Sequence, residues 1–176
     1  TGIRVLLADP DARVVVGLMS IHMLTVGAAD VLFVLLALQA FGMGAPGAGL
    51  LTAALGAGTI LGGAITVGFV GRSRLAVVAA IGAATWGLTF AIATLLGSPA
   101  AATILIVAGG AGLSIMDVAG RTILQRSIRD EVLARVFGLQ EGLGMAALAV
   151  GAILVPILIA LVGLTGAALV FAALLP

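Results

Sequence analysis

Five ionisable side chains, His22, Asp30, Asp117, Arg121 and Glu141, stand inside otherwise apolar stretches of this 176-residue chain. They are the groups with which it could do chemistry. A carboxylate in such surroundings can load a proton, contact a polar substrate or hold a basic partner. Asp117 and Arg121 are four residues apart, which puts them on one face if the segment is helical. Nucleophilic catalysis is not supported. Ser114 sits in GLSI, the one histidine is His22, and no Gly-x-Ser-x-Gly turn or spaced orienter accompanies them. The chain therefore reads as no enzyme, with no catalytic residue. Without cysteine and with a single histidine, disulfide frameworks and Cys/His metal clusters are excluded, and no metal or other cofactor is expected.

The elements that must position these groups follow from composition. Hydrophobic residues make up 62% of the chain, charged residues 9%, and the mean hydropathy is +1.37. A water-soluble domain carries roughly a quarter of its residues charged. A soluble enzyme or a nucleic-acid-binding domain is thus excluded, and a lipid bilayer is the expected surrounding. No charge occurs between Asp30 and Arg72, between Arg74 and Asp117, or after Glu141. Dividing these gaps at Gly and Pro predicts an all-α membrane protein with six helical segments, at about 12–39, 46–70, 75–96, 100–126, 134–162 and 165–176. Five can span a core of ~30 Å; the last covers only ~18 Å and reads as an incomplete helix at the end of a fragment. Residues 1–11, with Ile3, Leu6 and Leu7 beside Arg4 and Asp9, suggest a cytoplasmic linker lying at the membrane surface.

The eight arginines nearly cancel the seven acids, but their placement is one-sided. Arg4 and Arg13 precede the first helix, Arg72 and Arg74 join the second and third, and Arg126, Arg129 and Arg135 join the fourth and fifth. The opposite connections carry no charge. By the positive-inside rule both ends lie in the cytoplasm of a multi-pass protein of the plasma (inner) membrane. Small residues four apart, Ala54, Gly58 and Gly62 in the second helix and Gly138, Gly142 and Ala146 in the fifth, predict two flat faces for helix contact. Trp86, near the centre of the third helix, is expected to pack.

With the first helix centred near residue 26, Asp30 lies about 6 Å to the outer side and His22 about 6 Å to the inner side. Arg121 and Glu141 are equally far from the short loop expected around Arg126–Ala134, so they should meet in depth. Asp117 can join them in one network. Two readings of Arg121 and Glu141 are open: a structural ion pair at the cytoplasmic edge, or a gate. Asp30 has no evident basic partner and reads as a protonatable group or substrate contact, against a protonated packing residue. His22 is the weakest candidate, because a backbone carbonyl, Ser20 or Thr25 could satisfy its imidazole.

The stretch LQRSIRDEVLARVFGL between the fourth and fifth helices resembles the corresponding loop of major facilitator superfamily transporters, in the drug and siderophore exporter branch with macrolide-efflux-like proteins. GAADVLFVLLALQAFGMGAPGAGLLTAALGAGTILGG is similar to the seventh and eighth helices of that branch. The likeness covers nearly the whole chain. It implies the C-terminal six-helix half of a twelve-helix carrier, an N-terminal half as partner, and alternating access about a midplane site. In that fold the first and fourth helices line the cavity. Asp30 and Asp117 would then face it, Glu141 would lie near the contact between halves, and the small-residue faces of the second and fifth helices would meet the missing half. The resemblance also implies proton-coupled export of small amphipathic or hydrophobic compounds. It departs at VGRSRL, which lacks the acid of the family's motif, so Arg72 and Arg74 read first as positive-inside anchors. The rival readings are a non-transporting membrane anchor or sensor module for an attached soluble domain, and a half that dimerises with itself.

Overall fold

The computed structural model describes residues 10–68, 75–128 and 130–174. Five helices account for nearly all of them: α1 (Pro10–Leu35), extended by a π-helical turn over Leu36–Ala40, α2 (Gly44–Val67), α3 (Leu75–Leu96), α4 (Pro99–Ser127) and α5 (Asp130–Ala172). No strand occurs among the described residues. All five helices are long and apolar enough to cross a bilayer. Their outer surface is apolar too, with Ile60, Val67, Ile104 and Leu161 each more than two-thirds exposed. Hydrocarbon, rather than water, suits such a surface, and the chain is a multi-pass membrane protein.

The connections are set by glycines that adopt a backbone closed to other residues. Gly42 and Gly44 have φ of 61° and 69° and turn the chain from α1 into α2. Gly97, at φ 60°, ends α3; Ser98 then caps α4 by accepting the Ala101 N–H, with Pro99 in the first turn. A straight α5 of 43 residues would run to about 65 Å at 1.5 Å per residue, twice the hydrocarbon thickness. Gly163, at φ 77° and ψ 173°, breaks it into arms at 130–162 and 164–172. The second arm packs back on the bundle, burying Ala167, Ala168 and Phe171.

Packing is closest between α3 and α4, α2 and α4, and α1 and α5. In two of these crossings the backbones touch through paired glycines. A Cβ on Gly27 would strike the Leu148 carbonyl, and one on Gly151 would strike the Leu24 carbonyl. Likewise a Cβ on Gly58 would strike the Val107 carbonyl, and one on Gly110 the Leu55 carbonyl. Leu24 and Gly27 thus stand to Leu148 and Gly151 as Val107 and Gly110 stand to Leu55 and Gly58. Both crossings therefore repeat one local contact pattern, in which a glycine of each helix lies against a carbonyl of the other. The core holds Trp86, edge-on to Phe90 at 4.7 Å, with Phe33 stacked on Phe90 at 5.8 Å. The Trp86 indole donates to Thr25 Oγ1 at 3.0 Å, which ties α3 to α1.

Several expectations are corrected. The small-residue face Ala54–Gly58–Gly62 packs on α4 within this bundle, where Gly62 meets Ala111, instead of awaiting another half. The α5 face Gly138–Gly142–Ala146, by contrast, stays open at the bundle surface, where a contact with another half was expected: a Cβ added to Gly138 or Gly142 would meet nothing within 4 Å, and Ala146 is exposed. The contact stripe there is Gln140, Gly144, Gly151 and Val155, which is buried. The loop expected at Arg126–Ala134 is mostly helix, because Leu124, Ile128 and Val136 bury together against Val16 and hold the connection short. The surface linker falls almost wholly on residues 1–9, and Arg72, Arg74 and Arg129 also lie outside the described residues.

Candidate functional site

A cavity of about 240 Å³ opens between α1, α2 and α4. Its apolar wall is Met23, Val26 and Leu113; its polar groups are His22, Thr59, Ser114 and Asp117. Each helix delivers its groups by turn spacing. Leu113, Ser114 and Asp117 occupy one face of α4, and His22 and Val26, four apart, one face of α1. The next residue in that series is Asp30, which continues the cavity face of α1 about 12 Å beyond His22 and is exposed. Asp30 is therefore remote from the other four ionisable groups yet on the same side of the helix.

Asp117, Arg121 and Glu141 come together. Arg121 Nε donates to both carboxylate oxygens of Asp117, at 3.1 and 3.2 Å. Arg121 Nη2 lies 3.5 Å from Glu141 Oε2 on α5. The side chains of Asp117, Arg121 and Glu141 are 30, 38 and 50% exposed, so the network faces open space and is not sealed among apolar groups. It carries two acids against one base.

His22 is fully buried, and neither ring nitrogen has a hydrogen-bond partner among the described residues. The local groups that could have satisfied it are engaged elsewhere. Ser20 donates to the Val16 carbonyl, and Thr25 donates to the His22 carbonyl while accepting from Trp86. Asp117 lies within electrostatic reach of the ring. Gln140 Oε1 on α5 is a third buried polar atom with no partner among the described residues. No group of three or more potential ligands for a metal ion occurs among the described residues.

No family model, curated protein or solved structure matches this chain. The site is therefore read from its own geometry.

That His22 and Asp117 line one cavity was missed in the sequence, although a signal was present. With α1 centred near residue 26 and α4 near 113, the two residues each lie about 6 Å from those centres toward the same end of the bundle. Comparing depth across antiparallel helices, instead of only within hairpins, puts them level.

Proposed function

We propose that this chain is one six-helix half of a secondary active transporter of the major facilitator type, its C-terminal half, in the plasma membrane with both ends cytoplasmic. The transport is proton-coupled export of small amphipathic or hydrophobic compounds by alternating access. The observation that carries this reading is the cavity between α1, α2 and α4, where Asp117 stands beside an apolar wall in a bundle of helices long and apolar enough to cross a membrane. Carriers of this type rock about a central site at the contact between their repeats. In this reading the cavity between α1, α2 and α4 is this half's share of that site. Its apolar wall suits a hydrophobic body, while Asp117 and, farther out on the same face of α1, Asp30 supply protonatable carboxylates. The Arg121–Glu141 contact ties α4 to α5 beside it and acts as a gate.

The test is transport by the full-length protein in vesicles with an imposed pH gradient. A pH-sensitive fluorescent base reports proton flux as a panel of amphipathic compounds is added. Compound-dependent flux is expected from the wild type, and its abolition by Asp30→Asn and by Asp117→Asn at unchanged expression. Flux no different from empty vesicles across the panel would refute the carrier reading and favour an anchoring or sensing module.

A further inference from the structure

We propose that His22 is a proton-binding site of the cavity, and that its protonation transfers Asp117 from Arg121 to the imidazolium. This deepens the carrier reading and rests on it. A buried imidazole with two unpartnered nitrogens is costly to keep, because desolvated polar groups are ordinarily hydrogen-bonded. Here His22 is among the residues lining a cavity of about 240 Å³, room for about eight waters at ~30 Å³ each, together with Ser114 and Asp117. A structural histidine would have used Thr25 or Ser20, and both are engaged.

The charged surroundings are few. On α1 itself, Asp11 and Arg13 lie toward the cytoplasmic end and Asp30 about 12 Å outward. The α2 and α3 sequences hold no ionisable side chain. On α4 stand Asp117, Arg121 and Arg126, and on α5 Asp130, Glu131, Arg135 and Glu141. Asp117 is the acid on the cavity wall with the ring. In the step itself, a hydronium gives its proton to the ring nitrogen that lacks one and leaves as water. The imidazolium then attracts Asp117 away from Arg121 Nε, and Arg121 remains with Glu141. Direct contact between α1 and α4 is sparse in the present arrangement. The new ion pair bridges them and narrows the cavity.

The chain has one histidine, so its titration is directly readable. The full chain, labelled with 15N-histidine and 15N-arginine, is placed in lipid nanodiscs and followed by NMR against pH. His22 signals are assigned by their loss in His22→Gln, and the Arg121 Nε–H by its loss in Arg121→Gln. A single His22 transition is expected, with the Arg121 Nε–H shifting at the same midpoint as its bond to Asp117 is lost. Asp117→Asn should weaken proton binding at least about tenfold, a midpoint change of about one pH unit, and Arg121→Gln should strengthen it by a similar factor. Asp30→Asn should have the smaller effect. Misfolding cannot produce opposite shifts from two neighbouring substitutions. No His22 transition between about pH 4 and 9, or equal shifts from Asp117→Asn and Asp30→Asn, would overturn the site. An Arg121 signal indifferent to the transition would overturn the exchange. None of these readouts needs transport, so this proposal can fail while the carrier reading stands, and the reverse.

Discussion

Adding one methyl at Gly27 should force α1 and α5 apart by a calculable amount. A Cβ there would fall on the Leu148 carbonyl oxygen and stand 2.7 Å from its carbon and 3.0 Å from the Leu148 Cα. Carbon atoms prefer about 3.5–4.0 Å, so the helices must separate by roughly 0.8–1 Å. A gap of that size forfeits about a quarter to a half of each contact's attraction of ~0.1–0.2 kcal/mol. Over about 40 atom pairs at the crossing this comes to about 2 kcal/mol, within the ~1–3 kcal/mol usual for overpacking. Gly151→Ala should cost about the same. Once the helices have parted, however, the second methyl enters a gap already open, so the double variant Gly27→Ala/Gly151→Ala should fall well short of the sum. Gly27→Ala/Gly58→Ala, in crossings that share no partner, should instead be additive to within about 0.5 kcal/mol. Gly142→Ala, with nothing within 4 Å, should change stability by less than about 0.5 kcal/mol. Denaturation in mixed micelles measures these five variants and the single Gly58→Ala, with Trp86, the one tryptophan in a chain without tyrosine, as the fluorescent reporter. The close crossing would be refuted if Gly27→Ala cost no more than Gly142→Ala, or if the two substitutions in one crossing were strictly additive.

Gly163→Ala should destabilise the chain by about 1–3 kcal/mol in the same assay, because φ 77° with ψ 173° is a region essentially reserved for glycine; a neutral result would mean the α5 break lies elsewhere. Glu141→Gln should lower stability by less than about 1 kcal/mol, since its half-exposed ion pair with Arg121 is solvent-screened, while compound-driven proton flux should fall. Wild-type flux in that variant would leave the Arg121–Glu141 contact with a structural role only.

The helical segments were legible because a bilayer imposes a length and a polarity that residue type alone reveals. The break between the last two segments was legible for the same reason, since an apolar run too long to span once must turn, and Gly163 is where it can. The meeting of Arg121 with Glu141 followed from equal distance to a tight turn. The α5 contact stripe did not follow. Two sets of small residues spaced four apart run along that helix, and spacing cannot say which one faces α1. The set that faces α1 begins at Gln140, whose amide disguises it as a polar face, whereas Gly138 and Gly142 lie on the open side of the helix. The situation of His22 was obscured differently. Ser20 and Thr25 are close in sequence and offered plausible partners, but helix backbone carbonyls and the Trp86 indole claim both hydroxyls first.

The two glycine crossings and the polar groups divide the labour between them. Contact through backbone atoms makes α1 with α5 one tight pair and α2 with α4 another, and α3 adds to the second through its own close contact with α4. The cavity lies at the seam, lined by α1 from the first pair and by α2 and α4 from the second. Every ionisable side chain of the cluster sits on that seam. Arg121 and Glu141 join α4 to α5 across it, and His22 of α1 and Asp117 of α4 line the cavity from its two sides. Movement of one pair against the other would change these polar contacts and the cavity width while leaving the glycine crossings intact, because close-packed crossings resist deformation whereas exposed ion pairs exchange partners at small cost. It follows that substitutions in the crossings should lower stability and flux together, and substitutions on the seam should lower flux at nearly full stability.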